Sequence, residues 1–300
     1  LGAEAHNREL RARPLGRQIS PLKIIATTIL KKAGHRQPTP KALARKFQHP
    51  PSIRYYPRHR QQLAPDAAGP PGGNENSYDE ELTAMQMYDS FGPNPRANRM
   101  FLMEKGLKIP TKDVDLMKAE NRRPPYTDRN PGGQLPALEL DNGKCIGETV
   151  AIWEYLEEQH PSPALIGATA EDRAETRQWQ RRVEQNITEN MYNGFRFAEG
   201  YQLFKDRVPC EPDAAPGMKR IVQSRLKWLD GLIGGRDFIV PNRFTIADII
   251  LYCGMDFAAC VGQKIDPSLA NVTAWFKRID ARPSAKASLH PAAEQLKMKG

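Results

Sequence analysis

Asn130-Pro131-Gly132-Gly133-Gln134-Leu135-Pro136-Ala137-Leu138, followed by Gly147-Glu148-Thr149-Val150-Ala151-Ile152, is the most informative part of the chain. A proline that opens a strand after a polar connector marks a plausible cis bond, which turns the edge of Leu135 outward and leaves its N–H and C=O free. An extended peptide can pair with such an edge. Thr149 then lies at a helix N-terminus, where unpaired amides and the helix dipole favour a carboxylate, and Glu148 beside it can hold an ammonium group. Together the two segments suit a ligand with an amino-acid end and a peptide amide.

Leu135–Leu140 and Lys144–Ile146 read as strands joined through Asp141-Asn142-Gly143, a two-residue hairpin signal because Asn-Gly accepts positive φ. Upstream, Met87–Phe91 reads as a strand, Asn94–Gly106 as a helix stopped by its glycine, and Lys108–Leu116 as a second strand. Downstream, Glu148–Gln159 reads as a helix with Val150, Ile152, Trp153, Tyr155 and Leu156 as its buried stripe. The order over 85–160 is βαβ, connector, ββα. Beyond His160-Pro161-Ser162-Pro163 the strand signals vanish, and helical stretches near 170–200, 216–233 and 246–262 make 165–290 an all-helical domain. Thr245 and Asp248 suit a reciprocal cap, with Phe244 poised to staple onto Ile249. Cys253 and Cys260, at i and i+7 of the apolar helix that follows, read as core, and the acceptor-like Asn186-Ile187-Thr188 inside a helix reads as chance.

The 300 residues, 39% hydrophobic and 26% charged, have the composition of a globular chain of two domains. The longest apolar run, Ile249–Met255, is far short of the roughly 18 residues of a membrane span, so a transmembrane protein is excluded. Four cysteines without a C-x-x-C pair or neighbouring histidines argue against a disulfide framework and a metal site, and favour a reducing, cytoplasmic setting. The net charge of +9 is uneven: residues 1–84 hold 14 Lys+Arg against 7 Asp+Glu, the remainder 30 against 28. The front segment also holds 10 of the 26 prolines and reads as a disordered, basic, Pro-rich leader with one short apolar patch, Ile24–Leu30. An organelle-targeting peptide or a basic tail for nucleic acid or membrane are its functional readings; the plainer one, an inert leader, is preferred.

From 85 to about 290 the chain resembles the cytosolic glutathione transferases, with a bacterial or theta/nu-like cast. The family pattern N-P-x-G-x-V-P-x-L then E-S-x-A-I is met by Asn130–Leu138 and Glu148–Ile152, with Leu135 for Val and Thr149 for Ser, and the capping segment at Thr245 is in the family's usual place. The resemblance implies a thioredoxin-like N-terminal domain that binds glutathione and a helical domain that completes an apolar pocket. It places the γ-glutamyl end on Glu148 and Thr149, the cysteinyl amide on the backbone of Leu135 next to Pro136, the glycyl side on Gln134, and a further polar contact on Asn121. It implies no metal, a small-molecule electrophile as second substrate, a homodimer, and a role in detoxification by conjugation or hydroperoxide reduction.

The departure lies at the first helix, where many relatives carry a Ser four residues before the helix arginine; here that position is Gly92, in Ser90-Phe91-Gly92-Pro93-Asn94-Pro95-Arg96. No cysteine stands between 85 and 144 to run thiol-disulfide exchange. Asn94, Ser90 and Tyr88 are the candidates for activating the thiol, beside the possibility that no side chain does. The missing hydroxyl also keeps open a non-catalytic binding or regulatory protein. Phe91, Met191, Tyr192, Phe195 and Phe197 are candidate pocket walls that also fit a core, and Trp179, Val183 and Ile187 with Arg173, Arg177 and Arg181 form a mixed face suited to a symmetric partner.

Overall fold

Proline and glycine set the limits of the first helix. α1 (Pro93–Lys105) opens with Pro93, whose missing N–H would have no intrahelical partner anyway, and stops at Gly106, which takes a left-handed φ of 66° and returns its N–H to Leu102 and Met103. Around it lie β1 (Glu80–Glu81), β2 (Gln86–Asp89), β3 (Leu107–Lys108) and β4 (Thr111–Asp113). This computed structural model describes residues 84–297 together with the strand at Glu80–Glu81. The expected leader therefore lies outside the described residues except at its end, where β1 pairs in parallel with β3 and so belongs to a sheet.

The strand expected over 108–116 is two short ones, because Pro110 has no N–H for a ladder; its carbonyl instead accepts from Met87 N at 2.8 Å. The main sheet has the order β4-β2-β5-β6, with β5 (Ala137–Glu139) and β6 (Cys145–Gly147), parallel between β2 and β4 and antiparallel elsewhere. The hairpin loop has three residues rather than two. Leu140 N bonds Lys144 O at 2.8 Å, and only Gly143, at φ 79°, takes positive φ, so Asn142 supplies a side-chain acceptor to Lys144 N instead. The connector before β5 carries the short α2 (Tyr126–Arg129), and α3 (Thr149–Gln159) packs Ile152, Trp153 and Leu156 into the core, with Trp153 stacked on Phe101 at 5.0 Å. This is the thioredoxin-like half.

A carboxylate joins it to the helical half. Glu157 accepts from the backbone N–H groups of Leu165, Ile166 and Gly167 at 2.9, 2.6 and 3.1 Å and from Lys105 Nζ at 3.4 Å. The helical half contains α4 (Ala170–Val183), α5 (Glu189–Arg196), α6 (Tyr201–Phe204), α7 (Ala215–Leu232), α8 (Ile246–Cys260), α9 (Ala270–Asp280) and α10 (Pro283–Ala287). α4 begins on a Thr169/Asp172 capping box, and between α4 and α5 the chain makes a π turn over Glu184–Thr188 where one continuous helix is expected. Trp179, Val183 and Ile187 are buried in the chain's own core, so the apolar part of the face expected to meet a partner is occupied within the protein.

α8 is buried from Ile246 to Ala258 and is the central helix. Its expected cap is present: Asp248 accepts from Thr245 N at 2.9 Å, and also from Ile239 N at 2.9 Å and Trp275 Nε1 at 2.8 Å. Cys253 is core, as expected, while Cys260 is half-buried at the helix end. Arg96 of α1 reaches α8, pairing with Asp256 and donating to Tyr252 Oη and Ala285 O, each at 3.1 Å, so the two halves share a buried ion pair. Among the described residues no helix is long and apolar enough to cross a membrane.

Candidate functional site

The connector before β5 is held by side chains. Asn121 Nδ2 donates to Gly133 O at 2.6 Å, Asn130 Nδ2 donates to Gln134 O at 2.9 Å, and Tyr126 Oη donates to the same carbonyl. Gly133 has φ 60°, and a Cβ there would stand 2.8 Å from Asn121 O, so no other residue fits. The Leu135–Pro136 bond is cis, and Leu135 precedes the first ladder pair, Tyr88 with Ala137. Across β6, Glu148 holds a left-handed φ of 65°, unusual outside glycine, and Thr149 opens α3, whose first-turn amides lack intrahelical acceptors.

These residues line one cleft. Asn94, Gln134, Leu135, Pro136, Glu148 and Thr149 form one wall, and Arg177, Arg181, Glu184, Thr188 and Tyr192 of the α4–α5 arm the other, around about 800 Å³. A smaller pocket of about 150 Å³ adjoins it and shares Asn94, Gln134, Leu135, Tyr192 and Arg196; its other walls include Phe91, Phe195, Phe204, Phe257 and Asn121. Asn121 thus contributes through its hold on the connector, and its Oδ1 is buried without a hydrogen-bond partner.

The three candidates for thiol activation separate. Asn94 is exposed and lines both cavities, at the start of α1 where the amides point outward. Ser90 is buried, donates its hydroxyl to Val114 O at 2.7 Å and lines neither. Tyr88 donates to Glu139 Oε2 at 2.5 Å and sits edge-on to Tyr126; burial first, then the Glu139 bond, push its pKa up to about 12. It too lines neither cavity. Gly92 caps α1 at φ 124°, a conformation L side chains rarely adopt.

Of the residues that fit either a pocket or a core, Phe91, Tyr192 and Phe195 line the smaller pocket, whereas Met191 is core and Phe197 lines neither cavity. Sequence reasoning missed Phe204, Phe257 and three arginines, Arg122, Arg196 and Arg207. Arg122 had one signal, its place beside Asn121. The others come from separate segments that only the fold brings together.

The family model "Glutathione S-transferase, N-terminal domain" matches residues 83–158, and "Glutathione S-transferase, C-terminal domain" matches 208–283. The chain is similar to Glutathione S-transferase 2 of Saccharomyces cerevisiae, 29% identical over 67% of this chain and 88% of the relative. It is also similar to maleylacetoacetate isomerase of Pseudomonas aeruginosa, 31% identical over 66% of this chain and 87% of the relative. A crystal structure of a glutathione S-transferase domain-containing protein of Marinobacter aquaeolei VT8 superposes with a TM-score of 0.63 at 33% identity, covering 67% of this chain and 99% of that one. A thioredoxin-like sheet joined to a helical half, two family matches in order along the chain, and relatives covered over most of their length carry one conclusion: the chain belongs to the glutathione S-transferase superfamily.

Proposed function

We propose that the protein binds glutathione in the larger cleft, ionises its thiol beside Asn94, and transfers the sulfur to an electrophile held in the adjoining apolar pocket. One observation carries the reading: Asn94 at the start of α1 stands where the two cavities meet, with Leu135, Glu148 and Thr149 on the same wall. Glu148 takes the γ-glutamyl ammonium, the Thr149 end of α3 its carboxylate, the Leu135 backbone the cysteinyl amide, and Gln134 the glycyl side. Arg122, beside Asn121 and Gln134 in the smaller pocket, meets the glycyl carboxylate. In a halide substitution the thiolate forms the carbon–sulfur bond, the carbon–halogen bond breaks, halide leaves and the thiol proton passes to solvent. No metal takes part in this scheme, and the assembly is a cytoplasmic homodimer acting in detoxification.

The test is calorimetric titration with glutathione, then turnover of an aromatic chloride, an isothiocyanate and a hydroperoxide. Glutathione binding with turnover of at least one of them supports the reading; no binding at millimolar glutathione ends it. A second reading rests on Gly92, which brings no hydroxyl to the thiol. Under it the protein binds glutathione without turning over any electrophile, and the same panel separates the two.

A further inference from the structure

The apolar pocket carries more positive charge than the proposed transfer uses. Arg122, Arg196 and Arg207 line it, and no aspartate or glutamate does. Among the described residues none of the three forms an ion pair. Neutral groups hold them instead. Arg207 donates to Leu116 O at 2.6 Å and Met117 O at 3.3 Å, Arg196 donates to Asn193 Oδ1 at 3.0 Å, and Arg122 donates to Gly132 O at 3.3 Å while its Nε is buried without a partner. Each guanidinium has five N–H donors, so all three retain capacity for a ligand.

The charges also act on one another. Burial lowers the pKa of Arg122, and the Arg207 and Arg196 charges lower it further. Clustered cations beside apolar walls, with no acid among the lining residues, attract an anion strongly because the walls exclude competing water. Glutathione brings two carboxylates. In the arrangement proposed above, which this inference rests on, one goes to the start of α3 and the other to Arg122. Arg196 and Arg207 are left over, beside Phe195, Phe204 and Phe257.

We infer that the electrophile of this pocket is an apolar, aromatic-sized molecule bearing one carboxylate-type anion, with the anion on Arg196 and Arg207 and the apolar body on Phe195, Phe204 and Phe257. The anion fixes one end, and the reactive carbon then points toward Asn94 and the thiolate. The two arginines set which acceptors enter, and the phenylalanines set their bulk.

A matched pair of unreactive probes tests this, 4-nitrobenzoate against 4-nitrobenzamide, titrated into the full chain with and without glutathione. The benzoate should bind about tenfold or more tightly than the amide, and the preference should shrink as salt rises from 0.05 to 0.5 M. Arg196→Gln and Arg207→Gln should each bring the ratio toward one by weakening benzoate binding alone. Arg207→Gln also frees two backbone carbonyls, so its thermal midpoint is compared with wild type; Arg196, whose described hydrogen bond lies within its own helix, gives the variant that keeps its fold. Equal binding of the two probes, binding of neither at millimolar concentration, or a preference that survives Arg196→Gln and is lost only in Arg122→Gln, would overturn the inference. Wild-type titration with glutathione alone is a separate arm: its failure removes the proposed glutathione site and leaves the probe result standing.

Discussion

Asn94 carries the largest expected effect of any single side chain. A free thiol with a pKa near 8.5 is only a few per cent ionised at pH 7, and lowering it by about 2 units, roughly 2.7 kcal/mol, makes the thiolate the main form. One amide donor with the amides and dipole of the start of α1 is of that size. Asn94→Ala should therefore lower turnover at pH 6.5 at least about tenfold with little change in glutathione affinity, and shift the pH profile upward. Ser90→Ala loses a buried bond to the Val114 carbonyl, so it should cost about 1 kcal/mol in urea denaturation and leave the pH profile in place. Gly92→Ser should not supply the family hydroxyl: at φ 124° it strains the cap, and a loss of roughly 1–2 kcal/mol with no gain in turnover is expected. The cis Leu135–Pro136 bond and the helix start at Thr149 were legible because their signals are local. Ser90 was not, since a serine at a strand end reads the same whether its hydroxyl meets solvent or a carbonyl, and Arg196 and Arg207 share no local pattern with Arg122.

Among the elements, the reciprocal cap that starts α8 was legible. Thr245 and Asp248 stand three apart before an apolar run, and that spacing is the cap itself. What the spacing does not carry is that the same carboxylate also takes Ile239 N and the Trp275 indole, which depend on chain folded back from elsewhere. Burial pushes the Asp248 pKa up to about 6 against the pull of these donors. The folded chain therefore binds this proton more tightly than the unfolded chain, whose carboxyl titrates near 4. The contribution is full below about pH 4 and is lost as pH rises through about 6. Denaturation midpoints of wild type and Asp248→Asn, measured from pH 4 to 7, should differ in slope across that window, with wild type falling more steeply. Parallel curves would show that Asp248 does not titrate there. The hairpin loop was legible only in part, because Asp-Asn-Gly fits a two-residue or a three-residue turn, and the Leu140–Lys144 pair decides it.

For the whole molecule, the succession of a sheet-bearing half and a helical half was legible from where strand signals stop, but the surface of association was not. Trp179, Val183 and Ile187 read as a partner face from the family resemblance and from their mixture with Arg173, Arg177 and Arg181, and a core stripe has the same spacing. A symmetric partner on this side of α4 would meet the exposed Arg177–Glu154 pair and Arg181 instead. Sedimentation should show a dimer at micromolar concentration that weakens in 1 M salt; a monomer under both conditions would remove the homodimer from the proposal. The π turn at Glu184–Thr188 sets a different property of the molecule, its angular phase. A π turn takes one residue more than an α turn, so everything after it is rotated by about 100° from where an unbroken α-helix would put it. Tyr192 and Arg196 owe their direction into the pocket to that offset. Deleting one residue between 184 and 188 would remove the turn together with its extra residue and leave both side chains in phase, whereas deleting Asn190, past the turn, would step both round by about 100°, so under the proposed function the choice of acceptor depends on where along this arm the chain is shortened, with every pocket side chain still present.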